Sequence, residues 1–217
     1  MTDVNRLPPL LRQHIAALRA VLVFTVLCGI IYPVVLFGVA QAAFHSRANG
    51  STVSVNGKVV GSSLLCQEFT DAKGNPLPQY FQPRPSNALS STAPGPGTSK
   101  NGCDPGNSAA SNLGPNNPAL LKLVQQRRAQ VAQFNGVSPA SVPPDAVTAS
   151  GSGLDPDISP QYAYLQVNRV AQARHLSVSV VHALVASNVQ GRNIGFLGEP
   201  GVNVLALNIA LGKLPAR

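Results

Sequence analysis

The sequence predicts an α+β protein: a single N-terminal transmembrane helix, then one extracytoplasmic mixed α/β domain with a small antiparallel sheet and three to four helices. Three features carry this expectation. The run from Ala20 to Phe44, AVLVFTVLCGIIYPVVLFGVAQAAF, holds no charged residue. The segment TVSVNGKVV, Thr52 to Val60, alternates apolar and polar residues around Asn56-Gly57. Beyond Asn117, apolar residues recur at helical spacing behind helix-start signals.

A helix needs ~20 apolar residues to cross a bilayer's hydrocarbon core, and the first run exceeds that. Arg6, Arg12 and Arg19 precede it, against Arg47 and Lys58 soon after it. Lys and Arg near the ends of a span favour the cytoplasm, so residues 1–19 form a cytoplasmic arm, 20–44 the span and 45–217 the outer domain. A cleaved signal peptide is the rival reading, because Ala40-Gln41-Ala42 matches a peptidase site. Signal peptides carry an apolar region of only ~7–15 residues, which favours a permanent anchor. Inside the span, Pro33 removes a donor and presses on the Gly29 carbonyl, predicting a kink. Gly38 and Ala42 form a small-xxx-small pair on which a partner helix can approach, although such pairs are also ordinary membrane-helix composition. The span has no ionisable centre, so it cannot form an ion path by itself.

The chain has 217 residues with 16 Lys and Arg against 8 Asp and Glu. The basic residues are scattered, apart from Arg127-Arg128, and aromatics are only 5 %, so nucleic acid is not an expected partner. Cys28 lies in the span, whereas Cys66 and Cys103 fall outside, where an oxidising compartment permits pairing. Sequence leaves open whether those two meet. No C-x-x-C or H-E-x-x-H pattern suggests a metal.

Asn56-Gly57 accepts the positive φ angles of a type I′ turn, so Thr52 to Val60 reads as a hairpin. Leu64 to Phe69 is expected as a further short strand. In YFQPRPS, Tyr80 to Ser86, two prolines hold Arg84 on a stiff loop. Tyr80, Phe81 and Arg84 are candidates for partner contact, Arg84 through a carboxylate or carbonyl cluster, with Arg84 otherwise tying the loop to its own domain. Residues 89–117 turn to Ser, Thr, Gly, Pro and Asn and predict a long flexible loop.

Asn117 and Pro118 read as the cap and first residue of a helix carrying Leu120, Leu121, Val124, Val131 and Phe134, with Arg127 and Arg128 on a wet face and Gly136 as its stop. The next stretch holds Ser150, Gly151, Ser152 and Gly153, which resemble a glycine-rich anion loop but lack the following Lys. Turn chemistry is the competing reading. Asp145, Asp155 and Asp157 make this the one acidic stretch, either as turn and cap acceptors or facing a cation route. Ser159-Pro160 then starts a helix running to about His175, and another starts near Ser177. His175 and His182 lack any nucleophile motif and read as surface or packing residues. Val202 to Leu214 repeats apolar residues at helical spacing and is expected to close the core.

Tyr32-Pro33 in the span, YFQPRPS, SNLGPNNPAL at Ser111 to Leu120, VTASGSGLDPDISPQ at Val147 to Gln161, RVAQARHLS at Arg169 to Ser177 and GVNVLALNIAL at Gly201 to Leu211 are similar, in the same order, to the KdpC family, the C subunit of the Kdp-type bacterial potassium-transporting ATPase. The resemblance implies an inner-membrane complex with a channel-like potassium-binding subunit, a P-type ATPase subunit and a small stabilising peptide, in which potassium is the transported ion. It implies a non-catalytic role in assembly. It also implies a catalytic chaperone that raises the pump subunit's affinity for ATP, with Ser150, Gly151, Ser152, Gly153 and Gln161 as nucleotide-contact candidates. The predicted topology keeps those residues away from cytoplasmic ATP, so an indirect effect passes through coupled conformations. Direct contact with ATP together with the ATPase subunit is the alternative. The loop around Cys103 is longer than the family's usual pattern.

Overall fold

The computed structural model describes residues 8–89 and 102–215. The chain divides into two compact units, one through Ser51 and one from Thr52 onward.

The first unit is helical. Helix α1 spans Pro9–Val26, a π-helical turn Leu27–Ile31 follows, and α2 continues over Tyr32–Ala43. Together they form one helix, Pro9–Ala43, long and apolar enough to cross a membrane. It starts well before Ala20, so part of the expected arm is helical, while residues 1–7 lie outside the described residues. The irregularity sits where Pro33 predicts one. Pro33 has no N–H for the Gly29 carbonyl, and just before it the Tyr32 amide reaches back to Leu27 O. A single turn, α3 (His45–Ala48), ends the unit.

The second unit opens with the predicted hairpin, β1 (Thr52–Val55) and β2 (Lys58–Ser62), antiparallel with a bulge after Val53. Asn56 and Gly57 take φ of 51° and 78°, as the turn requires. Leu64 to Phe69 is not a strand: its backbone makes isolated bonds, Cys66 N to Leu154 O and Leu77 N to Phe69 O, both at 2.9 Å, without a ladder. Helix α4 (Pro118–Asn135) has the expected ends, with the Asn117 side chain accepting from Ala119 N and Gly136 left-handed at φ 64°. Its faces differ from expectation. Leu121 is 60 % exposed, whereas Arg127 is half-buried and donates to Val147 O at 3.3 Å.

Short 3-10 turns at Pro139–Ser141 and Pro144–Ala146 lead to β3 (Asp157–Ile158). The expected single helix after Ser159 is two, α5 (Pro160–Leu165) and α6 (Val167–Ala173). They part at Gln166, whose side chain is fully buried and bonded elsewhere. Ser177 caps α7 (Val178–Asn188), which runs into β4 (Val189–Gln190); β5 (Gly201–Asn203) then leads into α8 (Val204–Gly212). These short strands form an antiparallel sheet ordered β3-β5-β4. Val202 on its central strand is buried with Val170, Val181, Val185, Leu207 and Leu211 in the core. Burial of such side chains supplies the main favourable term for the fold.

Candidate functional site

The most organised polar feature is the stretch from Pro78 to Ser86, a turn at Pro78 and Gln79 followed by irregular chain that side chains hold instead of a neighbouring strand. Prolines deny it a normal ladder, and a buried backbone must still satisfy its donors and acceptors. Asn208 of α8 does this for Phe81: its Oδ1 accepts from Phe81 N and its Nδ2 donates to Phe81 O, both at 2.9 Å. Gln166 does the same for Gln82, accepting from its N at 2.7 Å and donating to its O at 3.1 Å. Arg169 of α6 donates to Pro78 O, to Tyr80 O at 2.9 Å, to Asn135 Oδ1 at 2.9 Å and to Gln166 Oε1 at 2.7 Å. Its guanidinium lies 4.4 Å from the centre of the Phe134 ring. Burial lowers the Arg169 pKa to about 10, against the nearby Tyr162, which pulls it upward.

Two sequence motifs meet along this segment. Pro85 O accepts from Ser150 N at 3.0 Å, and Ser86 Oγ donates to Gly153 O at 2.6 Å. Arg84 joins Asp155 at 2.7 Å and donates to Thr148 O at 3.3 Å. Of the proposed partner contacts, Phe81 is corrected outright: it is fully buried in the core, so no partner reaches it. Tyr80 stacks on Phe69 with centroids 5.2 Å apart, beneath the guanidinium of Arg174. Arg84 is a tie within its own domain. In the other unit, Gly38 and Ala42 lie on an exposed helix surface, and nothing lies within 4 Å of a Cβ built on Gly38.

The Ser-Gly stretch is a knot of turns. Ser150 Oγ accepts from Gly153 N at 3.1 Å, Ser152 Oγ accepts from Leu154 N at 3.0 Å, and Ser152 O accepts from Ala109 N at 2.9 Å. The amides of Ser150, Gly153 and Leu154, which an anion loop would aim at phosphate, are therefore bonded internally. Gly151 is exposed, as is Gln161 on α5, outside the knot. Cys66 and Cys103 form a disulfide with Cα atoms 5.4 Å apart, and Cys103 N donates to Ser86 Oγ at 2.9 Å. Within the expected flexible loop, residues 90–101 lie outside the described residues; Asp104 N, beyond them, bonds Ala88 O at 2.9 Å.

Gly153 sits at φ 74°, and an added Cβ there would meet Ala109 O at 2.6 Å and the Ala88 side chain at 2.8 Å. Gly153→Ala is expected to destabilise the domain by about 2–3 kcal/mol, since left-handed strain and a backbone clash add. Thermal unfolding checks this, with Gly151→Ala as a near-neutral control.

The three aspartates do not converge. Asp145 accepts from Ser159 N at 2.7 Å and Ser159 Oγ at 2.8 Å, fixing the cap of α5. Asp155 holds Arg84 and accepts from Asp157 N at 3.1 Å. The turn and cap reading fits these two better than a cation route. Asp157 is partly buried with one oxygen unpartnered, and burial raises its pKa, against the Asn203 side chain and together with Asp155. No group of three or more His, Cys, Asp or Glu among the described residues is placed to hold a metal. His182 stacks on Tyr164 and His175 is exposed.

A groove of about 300 Å³ runs beside the clamped segment, lined by Gln82, Arg84, Arg127, Phe134 and Tyr162 among others. Glu68, Thr70 and Ser86 also line it, so guanidinium groups, a carboxylate, hydroxyls and apolar walls share one surface. Sequence reasoning overlooked Gln166, Arg169 and Asn208. Their signal was polarity inside apolar helical runs, because a buried amide or guanidinium needs partners.

The family model described as "K+-transporting ATPase, c chain" matches residues 14–213. A Kineococcus radiotolerans protein named potassium-transporting ATPase KdpC subunit is 50 % identical over 202 residues, covering 93 % of this chain and 94 % of that one. Proteins of the same name from Streptomyces avermitilis and Mycobacterium tuberculosis are each 46 % identical, covering 93 % and 94 % of this chain and 93 % and 99 % of theirs.

Proposed function

Because the chain belongs to the KdpC family of potassium-transporting ATPase c chains, we propose that it is a non-catalytic subunit of an ATP-driven potassium uptake complex in the bacterial inner membrane. It completes and steadies an assembly with a channel-like potassium-binding subunit, a P-type ATPase subunit and a small stabilising peptide. Its helix crosses the membrane once, with the N-terminus in the cytoplasm and the domain from Thr52 outside. Any rise in the pump's ATP affinity is then a coupling between conformations across the membrane, not a shared nucleotide site.

The observation that supports this reading is the internal bonding of the Ser150, Gly153 and Leu154 amides, which are turned to the domain's own acceptors. The Cys66–Cys103 disulfide supports the outer location, since cytosolic thiols are kept reduced. Equilibrium dialysis of the purified full chain against radiolabelled ATP at millimolar concentration tests the reading. No saturable retention is expected. Saturable binding that Ser150→Ala or Ser152→Ala weakens would replace it with direct nucleotide contact.

A further inference from the structure

Between β4 and β5 the chain makes a projecting turn, Gly191 to Pro200, whose tip is apolar and exposed: Ile194 by 82 %, Phe196 by 68 % and Leu197 by 49 %. An unsupported loop of this composition would fold its side chains away from water. This one is held open. Asn193 N donates to Leu197 O at 2.8 Å and Leu197 N returns a bond to Asn193 O at 2.9 Å. Below them, Arg192 grips both carboxylate oxygens of Glu199 at 3.0 and 2.8 Å. Ile194 takes φ 55°, a left-handed conformation that costs a β-branched residue free energy. Strain and exposure at one tip, within a backbone locked by paired bonds, describe a preorganised contact element.

We propose that this tip is a docking finger that inserts into an apolar recess on another chain of the potassium-transporting ATPase, an inference that rests on the subunit reading above. A lipid surface is a poorer match. Elements that dip into a membrane surface set such apolar residues beside Lys or Arg that meet anionic headgroups, and the one cation from Gly191 to Pro200, Arg192, is already paired with Glu199. The finger therefore meets its partner without net charge, which suits a neutral, desolvated recess. A second copy of this chain is also a poorer match. The three side chains expose roughly 300–400 Å², below the ~800 Å² per partner of a free-standing interface. An anchor of that size is effective where the two chains are already held together by other contacts, as subunits sharing one membrane are.

A benzophenone-bearing residue placed at position 196 of the full chain, expressed with the other chains of the ATPase and irradiated in intact membranes, reads the contact directly. An adduct with another chain of that ATPase is the expected result. An adduct with lipid, an adduct with a second copy of this chain, or no adduct overturns the proposal. The companion variant Phe196→Ser is expected to melt with the unmodified chain, because the side chain is exposed, yet to lower the detergent-stable complex about 10-fold or more. Unchanged recovery of the complex also overturns the proposal. If the unmodified chain itself fails to co-purify with ATPase chains, the subunit reading fails; if it co-purifies and position 196 gives no protein adduct, only the finger does.

Discussion

Arg169→Ala is expected to lower the stability of the domain from Thr52 onward by about 3–5 kcal/mol, because its guanidinium serves four acceptors at once. The side chain is 8 % exposed and ties α6 to Pro78, Tyr80, Asn135 and Gln166. Truncation leaves those acceptors in a low-dielectric interior and opens a void beside Phe134. Arg169→Lys keeps the charge but not the fork, so it restores only part of the loss. Differential unfolding of the full chain in detergent checks both variants. A melt for Arg169→Ala within a degree or so of the parent would mean that the Asn208 and Gln166 pairs hold the segment without Arg169.

Loss of the Cys66–Cys103 bridge is expected to cost about 3–4 kcal/mol. The bridge spans a sequence separation of 37, and a loop of that size restricts the unfolded chain by roughly this amount. Both cysteines are buried, at 8 % and 5 % exposure, so a reductant acts mainly when the domain opens. The double variant Cys66→Ser with Cys103→Ser should therefore melt about 10 °C below the parent. Dithiothreitol should lower the parent to nearly the same point and leave the variant unmoved. Equal melting of oxidised and reduced parent would contradict a stabilising bridge.

Local chemistry explains which elements were legible in the sequence. Asn117 and Gly136 bound α4, Ser177 starts α7, and Asn56-Gly57 turns the hairpin, because caps and turns act over three or four residues. The β3-β5-β4 sheet was not legible, since its strands are two or three residues long and β3 joins β5 from a distant part of the chain. Leu64 to Phe69 has strand-like composition but no partner edge, and composition cannot supply one. Phe81 stood among the partner-contact candidates on its stiff, proline-bounded loop, but Asn208 and Gln166 bond the backbone of Phe81 and Gln82, and the Phe81 side chain is in the core. In the acidic stretch, sequence gave two readings for the aspartates, and bonds to Ser159 and Arg84 distinguish them for Asp145 and Asp155.

The Ser-Gly stretch and the nucleotide question turn on which side of the membrane the domain occupies. A protease-removable tag after Arg217, followed in sealed right-side-out spheroplasts, measures this. Removal of the tag by external protease without lysis is the predicted result, and it confines any influence on ATP affinity to coupling through the membrane. Protection until the membrane is broken would contradict the account and put the Ser150 to Gly153 turn on the same side as ATP.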